Sequence, residues 1–158
     1  MTLYLLALLI GVVAGLRAMT APAAVSWAAH LGRLHLGGTW LAFLGFAWTP
    51  WILTVLALGE LVTDQLPRTP SRTVPVQFSA RIVSGALAGA AVGIASGSWM
   101  GGAVAGVVGA VIGTLGGRAA RARLAATFGR DLPAALVEDA AAIGGALLIM
   151  VALPRLEV

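Results

Sequence analysis

LPAALVEDAAAIGGALLIMVAL, residues 132–153, decides how the chain is read. It is 22 residues long and carries only two charges, Glu138 and Asp139, side by side. As a helix it rises about 33 Å, enough to cross the roughly 30 Å hydrocarbon core of a bilayer. The acids fall about two turns in, so a spanning helix carries them into or against the apolar slab. A carboxylate there is costly unless it meets a cation, a hydrogen-bond donor or water. The sequence therefore demands partners for Glu138 and Asp139.

The rest of the composition agrees with a membrane setting. Of 158 residues, 59% are hydrophobic and 10% charged, where a soluble domain carries about 25%, and the mean hydropathy is +0.97. The expectation is an all-α membrane protein folded as one integral-membrane domain, 1–158. Its N-terminal half is 1–64, its polar linker 65–79 and its C-terminal half 80–154. Cysteine is absent, which excludes disulfides and thiolate metal sites. All ten basic residues are arginine and the net charge is +4. Spread over membrane-edge loops, this charge suits a cytoplasmic face beside anionic lipid, and no nucleic-acid partner is expected.

Upstream of the opening stretch, residues 117–130 read GRAARARLAATFGR. Arg118, Arg121 and Arg123, with Leu124 and Phe128, form a short basic amphipathic segment, so these arginines are candidates for lipid headgroups. Asp131 is placed to cap the last helix, with Pro133 in its first turn. Further back, Gly85, Gly89, Gly93 and Gly97 recur every fourth residue in a span at about 82–94. Gly102 with Gly106, and Gly109 with Gly113 and Gly117, do the same in a span at about 100–115. Small residues at this spacing let helix backbones approach closely. A tight hairpin around residues 96–98 is expected, and such faces also offer a route to a homo-oligomer.

The linker QLPRTPSRTVPVQFS, residues 65–79, holds Pro67, Pro70 and Pro75, which oppose regular structure. Arg68 and Arg72 assign it to the cytoplasm. Before it, Glu60 and Asp64 lie four apart and share a helix face. They are either solvated at a helix end or await a cation, a proton or an arginine. Trp40, Trp48 and Trp51 mark a headgroup boundary. Pro50 leaves two paths open: one kinked span over 40–62, or a helix over 50–64 with 40–48 packed apart.

Residues 3–16, LYLLALLIGVVAGL, read as a first span. A cleaved signal is not expected, because only Met1 and Thr2 precede the apolar run. A break follows near 18–21, since Ala21 precedes Pro22. A short broken or re-entrant helix then covers 22–31, whose N-terminal N–H groups suit an anion. About five transmembrane helices plus this short piece result. Counting arginines gives an inner N-terminus and an outer C-terminus, with the loop 17–39 outside and the end of the Glu60–Asp64 helix inside; an extra span made from residues 17–39 would reverse the N-terminus. His30 and His35 straddle that outer loop without a metal spacing, and no metal or cofactor is expected. Pro22-Ala23-Ala24-Val25 resembles Pro133-Ala134-Ala135-Leu136, which raises a weak inverted repeat of the kind that frames transporter sites.

Gly15-Leu16-Arg17-Ala18, Glu60-x-x-x-Asp64-Gln65-Leu66-Pro67, Arg81 opening a glycine-rich span, and Glu138-Asp139 together resemble a bacterial integral-membrane family known as a domain of unknown function. The resemblance covers roughly residues 5–153. The chain departs from the family pattern at Gln65, where that pattern has a lysine. The resemblance implies a small multi-pass protein of the bacterial inner membrane and implies no activity.

Three readings of the charges stand. Arg17, Glu60, Asp64, Arg81, Glu138 and Asp139 could form the substrate- or ion-binding core of an ion- or proton-coupled transporter or channel-like protein. Alternatively, Arg17 and the basic segment 118–130 hold membrane-lipid headgroups while glycine grooves admit tails. Alternatively, buried ion pairs set helix register in a scaffold. A catalytic role is not expected, because nucleophile, zinc and phosphate-loop motifs are missing.

Overall fold

The computed structural model describes residues 2–64 and 74–153. Arg68, Arg72, Pro67, Pro70 and Arg155 lie outside them. The described residues form six α-helices and one short 3-10 turn: α1 (Thr2–Leu16), α2 (Thr20–His30), the turn (Ala42–Gly45), α3 (Thr49–Thr63), α4 (Pro75–Ile94), α5 (Trp99–Phe128) and α6 (Asp131–Ala152). Three of them, α4, α5 and α6, are long and apolar enough to cross a membrane, while α1 and α3 are shorter and apolar. The chain is an all-α membrane protein.

Local chemistry sets the boundaries. Pro50 sits in the first turn of α3, where its missing N–H costs nothing, so residues 40–48 pack apart from the helix. Pro75 does the same for α4. That helix therefore begins inside the stretch expected to be linker, and Arg81 lies in its second turn. The basic segment 117–130 is not a separate piece. It continues α5 without a break to Phe128 and ends at Gly129, whose φ is +66°. Asp131 does not cap α6: Arg130 holds that position and Asp131 lies in the first turn. Thr20 is likewise the first residue of α2, after Met19.

α5 lies at the centre, and its buried stripe is Gly102, Gly106, Gly109, Ala110, Gly113, Thr114 and Gly117. Gly85, Gly89 and Gly93 of α4 meet it in antiparallel order, Gly85 beside Gly106 and Gly93 beside Gly102. Gly11 and Gly15 of α1 meet its other side in parallel order, beside Gly106 and Gly113. At each of these contacts a Cβ would run into the partner's backbone. These glycine faces are thus filled by contacts within the chain. Gly97, with φ +78°, closes the α4–α5 turn instead.

The chain runs alternately between two ends. α1 descends and reverses at residues 17–19, and α2 climbs back until Arg33 donates to the Met150 carbonyl at 3.0 Å. α3 descends beside α2, where Trp27 donates to Thr54 at 3.0 Å, and α4, α5 and α6 continue the alternation. The reversal corrects the topology counted from sequence. Arg17 bonds directly to Asp64, so the ends of α1 and α3 share one level and cannot lie on opposite faces. α2 supplies the extra transit that puts them together. Pro22 and Pro133 open α2 and α6, which both climb, so these two motifs relate helices of the same direction and not inverted ones. The far end carries exposed Trp40 and Trp99, stacked edge to face with centroids 5.8 Å apart, and exposed Trp48 and Trp51.

Candidate functional site: a buried charge layer at a helix break

The break between α1 and α2 exposes backbone groups that helices leave unpaired at their ends. The carbonyls of Gly15 and Leu16 end α1, and Arg81 Nη1 donates to both, at 2.7 and 2.6 Å. Thr114, fully buried in α5, donates to the Ala110 carbonyl at 2.8 Å and reaches the Gly15 carbonyl at 3.3 Å. On the other side of the break, the N–H groups of Ala18 and Met19 donate to the two oxygens of Glu60, each at 2.7 Å. A cation meets the negative end of α1 and an anion meets the positive end of α2. Where an anion was expected at the start of the short helix, the chain's own Glu60 accepts from Ala18 and Met19, the two residues just ahead of it.

Arg17 stands in the break and is 0% exposed. Its Nε donates to Asp139 Oδ1 at 2.6 Å, and its Nη2 lies 2.5 Å from the same oxygen. Its Nη1 donates to Asp64 Oδ2. Arg81, equally buried, holds Nη2 at 3.8 Å from Glu60 and 3.7 Å from Asp64. Two arginines on α4 and at the end of α1 thus bridge acids on α3 and α6. Glu60 and Asp64 share a face of α3 as their spacing requires, and the repulsion between them is offset by Arg17 and Arg81.

Glu138 is buried beside Asp139 but faces another partner. Arg121 Nη1 lies 3.5 Å from Glu138, and Arg121 also grips the exposed Asp131 through Nε at 3.0 Å and Nη2 at 2.6 Å. Arg121 is therefore engaged by acids of α6, whereas Arg118 and Arg123 are exposed on the extension of α5. Together the layer gathers Arg17, Arg81 and Arg121 against Glu60, Asp64, Asp131, Glu138 and Asp139, which are five of the six acids in the chain. Among the described residues no group of three histidine or acidic side chains could hold a metal ion. His30 and His35 lie at the far end.

Of the six charged residues named from sequence, Arg17, Glu60, Asp64, Arg81 and Asp139 meet, while Glu138 pairs with Arg121; the part of Arg121 and Asp131 in the layer, Thr114, and the two carbonyls that bind Arg81 were missed. Thr114 was the one hydroxyl in the small-residue stripe of α5, a signal that a polar group was being buried there. The arrangement gives a direct prediction. Glu60→Gln leaves one of the two N–H donors facing an amide NH2 and should lower stability by about 2 kcal/mol, the scale of a hydrogen bond to a charged group. Chemical or thermal unfolding in detergent, compared with wild type, measures it.

No curated protein and no solved structure matches the chain. A family described as "Domain of unknown function (DUF4126)" matches residues 4–157. With that match covering nearly its whole length, the chain belongs to the DUF4126 family.

Proposed function

We propose that the chain is a small multi-pass protein of the bacterial inner membrane that passes a proton or a small cation through the charge layer at the α1–α2 break. The observation that carries this reading is the burial of carboxylates on a helix long and apolar enough to cross a membrane: Glu138 and Asp139 of α6 are each 7% exposed. Arginine stays protonated in proteins, so the arginines act as fixed counter-charges and the buried carboxylates are the groups that can change protonation or ion load. Intramembrane carboxylates of this kind mark ion paths and proton relays, and helix breaks at such sites are a feature of transporter folds.

Orientation follows from the arginines. Arg17, Arg81, Arg118, Arg121, Arg123 and Arg130 lie at or beyond the charge layer, and Arg33 lies at the aromatic end. The positive-inside rule then makes the charge layer the cytoplasmic side and puts both α1's start and α6's end outside.

Glu138 is the test residue, because it lies between the exposed Arg121–Asp131 pair and the buried Arg17–Asp139 pair. In proteoliposomes with an internal pH dye, wild type should dissipate an imposed proton gradient. Glu138→Gln should slow this at least tenfold while keeping its elution volume and helical spectrum. Equal rates in the two proteins, for protons and then for sodium and potassium gradients, would sink the proposal. The ion pairs across α1, α3 and α6 favour the scaffold reading instead in that case, and it expects an Arg17→Asp/Asp139→Arg swap to fold as wild type does.

A further inference from the structure

Between α2, α3 and α6 lies a cavity of about 260 Å³. Its walls are apolar, with Ala24, Ala57, Ala146 and Met150 among them. Leu58 and Leu147 line it and are each 57% exposed on the outer surface. The mouth is therefore on the face turned to the bilayer. Along α6 the lining runs from Ile143 to Met150, about 10 Å of helix, parallel to the direction a lipid chain takes. What reaches such a mouth is what the bilayer presents, and an apolar slot of this length suits an acyl chain.

The inner end is not purely apolar. Thr20 lines it, is 8% exposed, and its Oγ1 has no hydrogen-bond partner. The other lining hydroxyl, Thr54, is satisfied by Trp27 and the Pro50 carbonyl. A buried hydroxyl without a partner is rare and points to an acceptor supplied from outside the chain. That acceptor is uncharged: the lining has no cationic side chain to hold a phosphate or carboxylate in an apolar slot. A phospholipid ester carbonyl meets both conditions. We infer that this cavity is a lateral lipid site, which holds one acyl chain of a glycerophospholipid with Thr20 donating to its ester carbonyl. The site is separate from the headgroup role expected of Arg118, Arg121 and Arg123, and it does not depend on ion flux.

Native mass spectrometry of protein purified from membranes and washed in a delipidating detergent tests it, together with a bifunctional phosphatidylcholine bearing a photoreactive group at the acyl end. Wild type should retain one phospholipid mass per chain and cross-link within residues 143–150. Ala57→Leu and, from the opposite wall, Ala146→Leu should each cut retention at least fivefold, with fold checked by thermal melting. Thr20→Val should cut it about threefold, and Thr20→Ser should restore it. Should one filling variant fail to fold, the other and the cross-link position still decide. A retained free fatty acid in place of a phospholipid overturns the inference. So does equal retention in the filled and wild-type proteins, or cross-linking spread over the outer faces of all helices, the mark of annular lipid.

Discussion

Arg17→Gln is expected to lose about 3–5 kcal/mol of stability, the cost of breaking a buried pair by removing one partner. The reason is specific to the break. Arg17 is 0% exposed and is the contact that joins the end of α1 to Asp64 of α3 and Asp139 of α6. Glutamine is too short to reach both acids, and its neutral amide leaves two carboxylates facing each other in an apolar setting. Lysine is no rescue, because a single ammonium cannot present the fork that meets Asp64 and Asp139 from different directions. Denaturant titration in mixed micelles, followed by circular dichroism, measures the loss. Adding Asp139→Asn to Arg17→Gln should return part of it, since one of the two carboxylates that lose Arg17 becomes neutral. Arg123→Gln, exposed on the extension of α5, should fall within about 0.5 kcal/mol of wild type, as surface changes do. A loss below 1 kcal/mol for Arg17→Gln would show that the layer is hydrated and that its charges need no pairing.

Much of this layer was legible before any coordinates. Hydropathy placed Glu138 and Asp139 where a carboxylate needs a partner, the i, i+4 spacing put Glu60 and Asp64 on one face, and Pro22 after Ala21 marked the break beside Arg17. Those are local signals, and they name the residues, though the short helix begins at Thr20 with Ala21 inside it, two residues before the start read from Pro22. They do not name the pairs. Arg17 and Asp139 are 122 residues apart, and only the packing of α1 against α6 selects Asp139 for Arg17 while Glu138, one residue earlier, turns to Arg121. The arginine count leaves the transit of residues 17–39 open for a related reason. A helix of about ten residues is too short to cross a bilayer, so length alone does not count α2 as a crossing. Yet it need not cross: it starts from a charge layer already inside the protein and climbs only to the far rim. Glu60, on α3, makes that internal start tolerable by accepting from the N–H groups of Ala18 and Met19 just ahead of α2, and nothing near residues 17–20 in the sequence announces it.

The glycine pattern leads to the second large effect. Gly106→Ala is expected to destabilise the protein by about 2–3 kcal/mol, in the range for overpacking a filled interior. The added methyl would meet the Gly85 carbonyl and lie 3.0 Å from the Gly89 Cα. Neither can move like a side chain, because both belong to the backbone of α4. α1 presses on the same turn through Gly11, so α5 cannot shift away from one neighbour without closing on the other. The same helix holds its own control. Gly116 has open space where a Cβ would go, and Gly116→Ala should gain roughly 0.5–1 kcal/mol from the better helix propensity of alanine. One substitution type at two sites ten residues apart should thus give opposite signs, which separates close packing from any general effect of glycine on α5. Melting temperatures of the two variants beside wild type, in one detergent, decide it. If Gly106→Ala is neutral, α1, α4 and α5 are held apart by more than their backbones' contact. The shared wall behind Gly15, Thr114 and Arg81 would then be loose enough to let the charge layer itself rearrange.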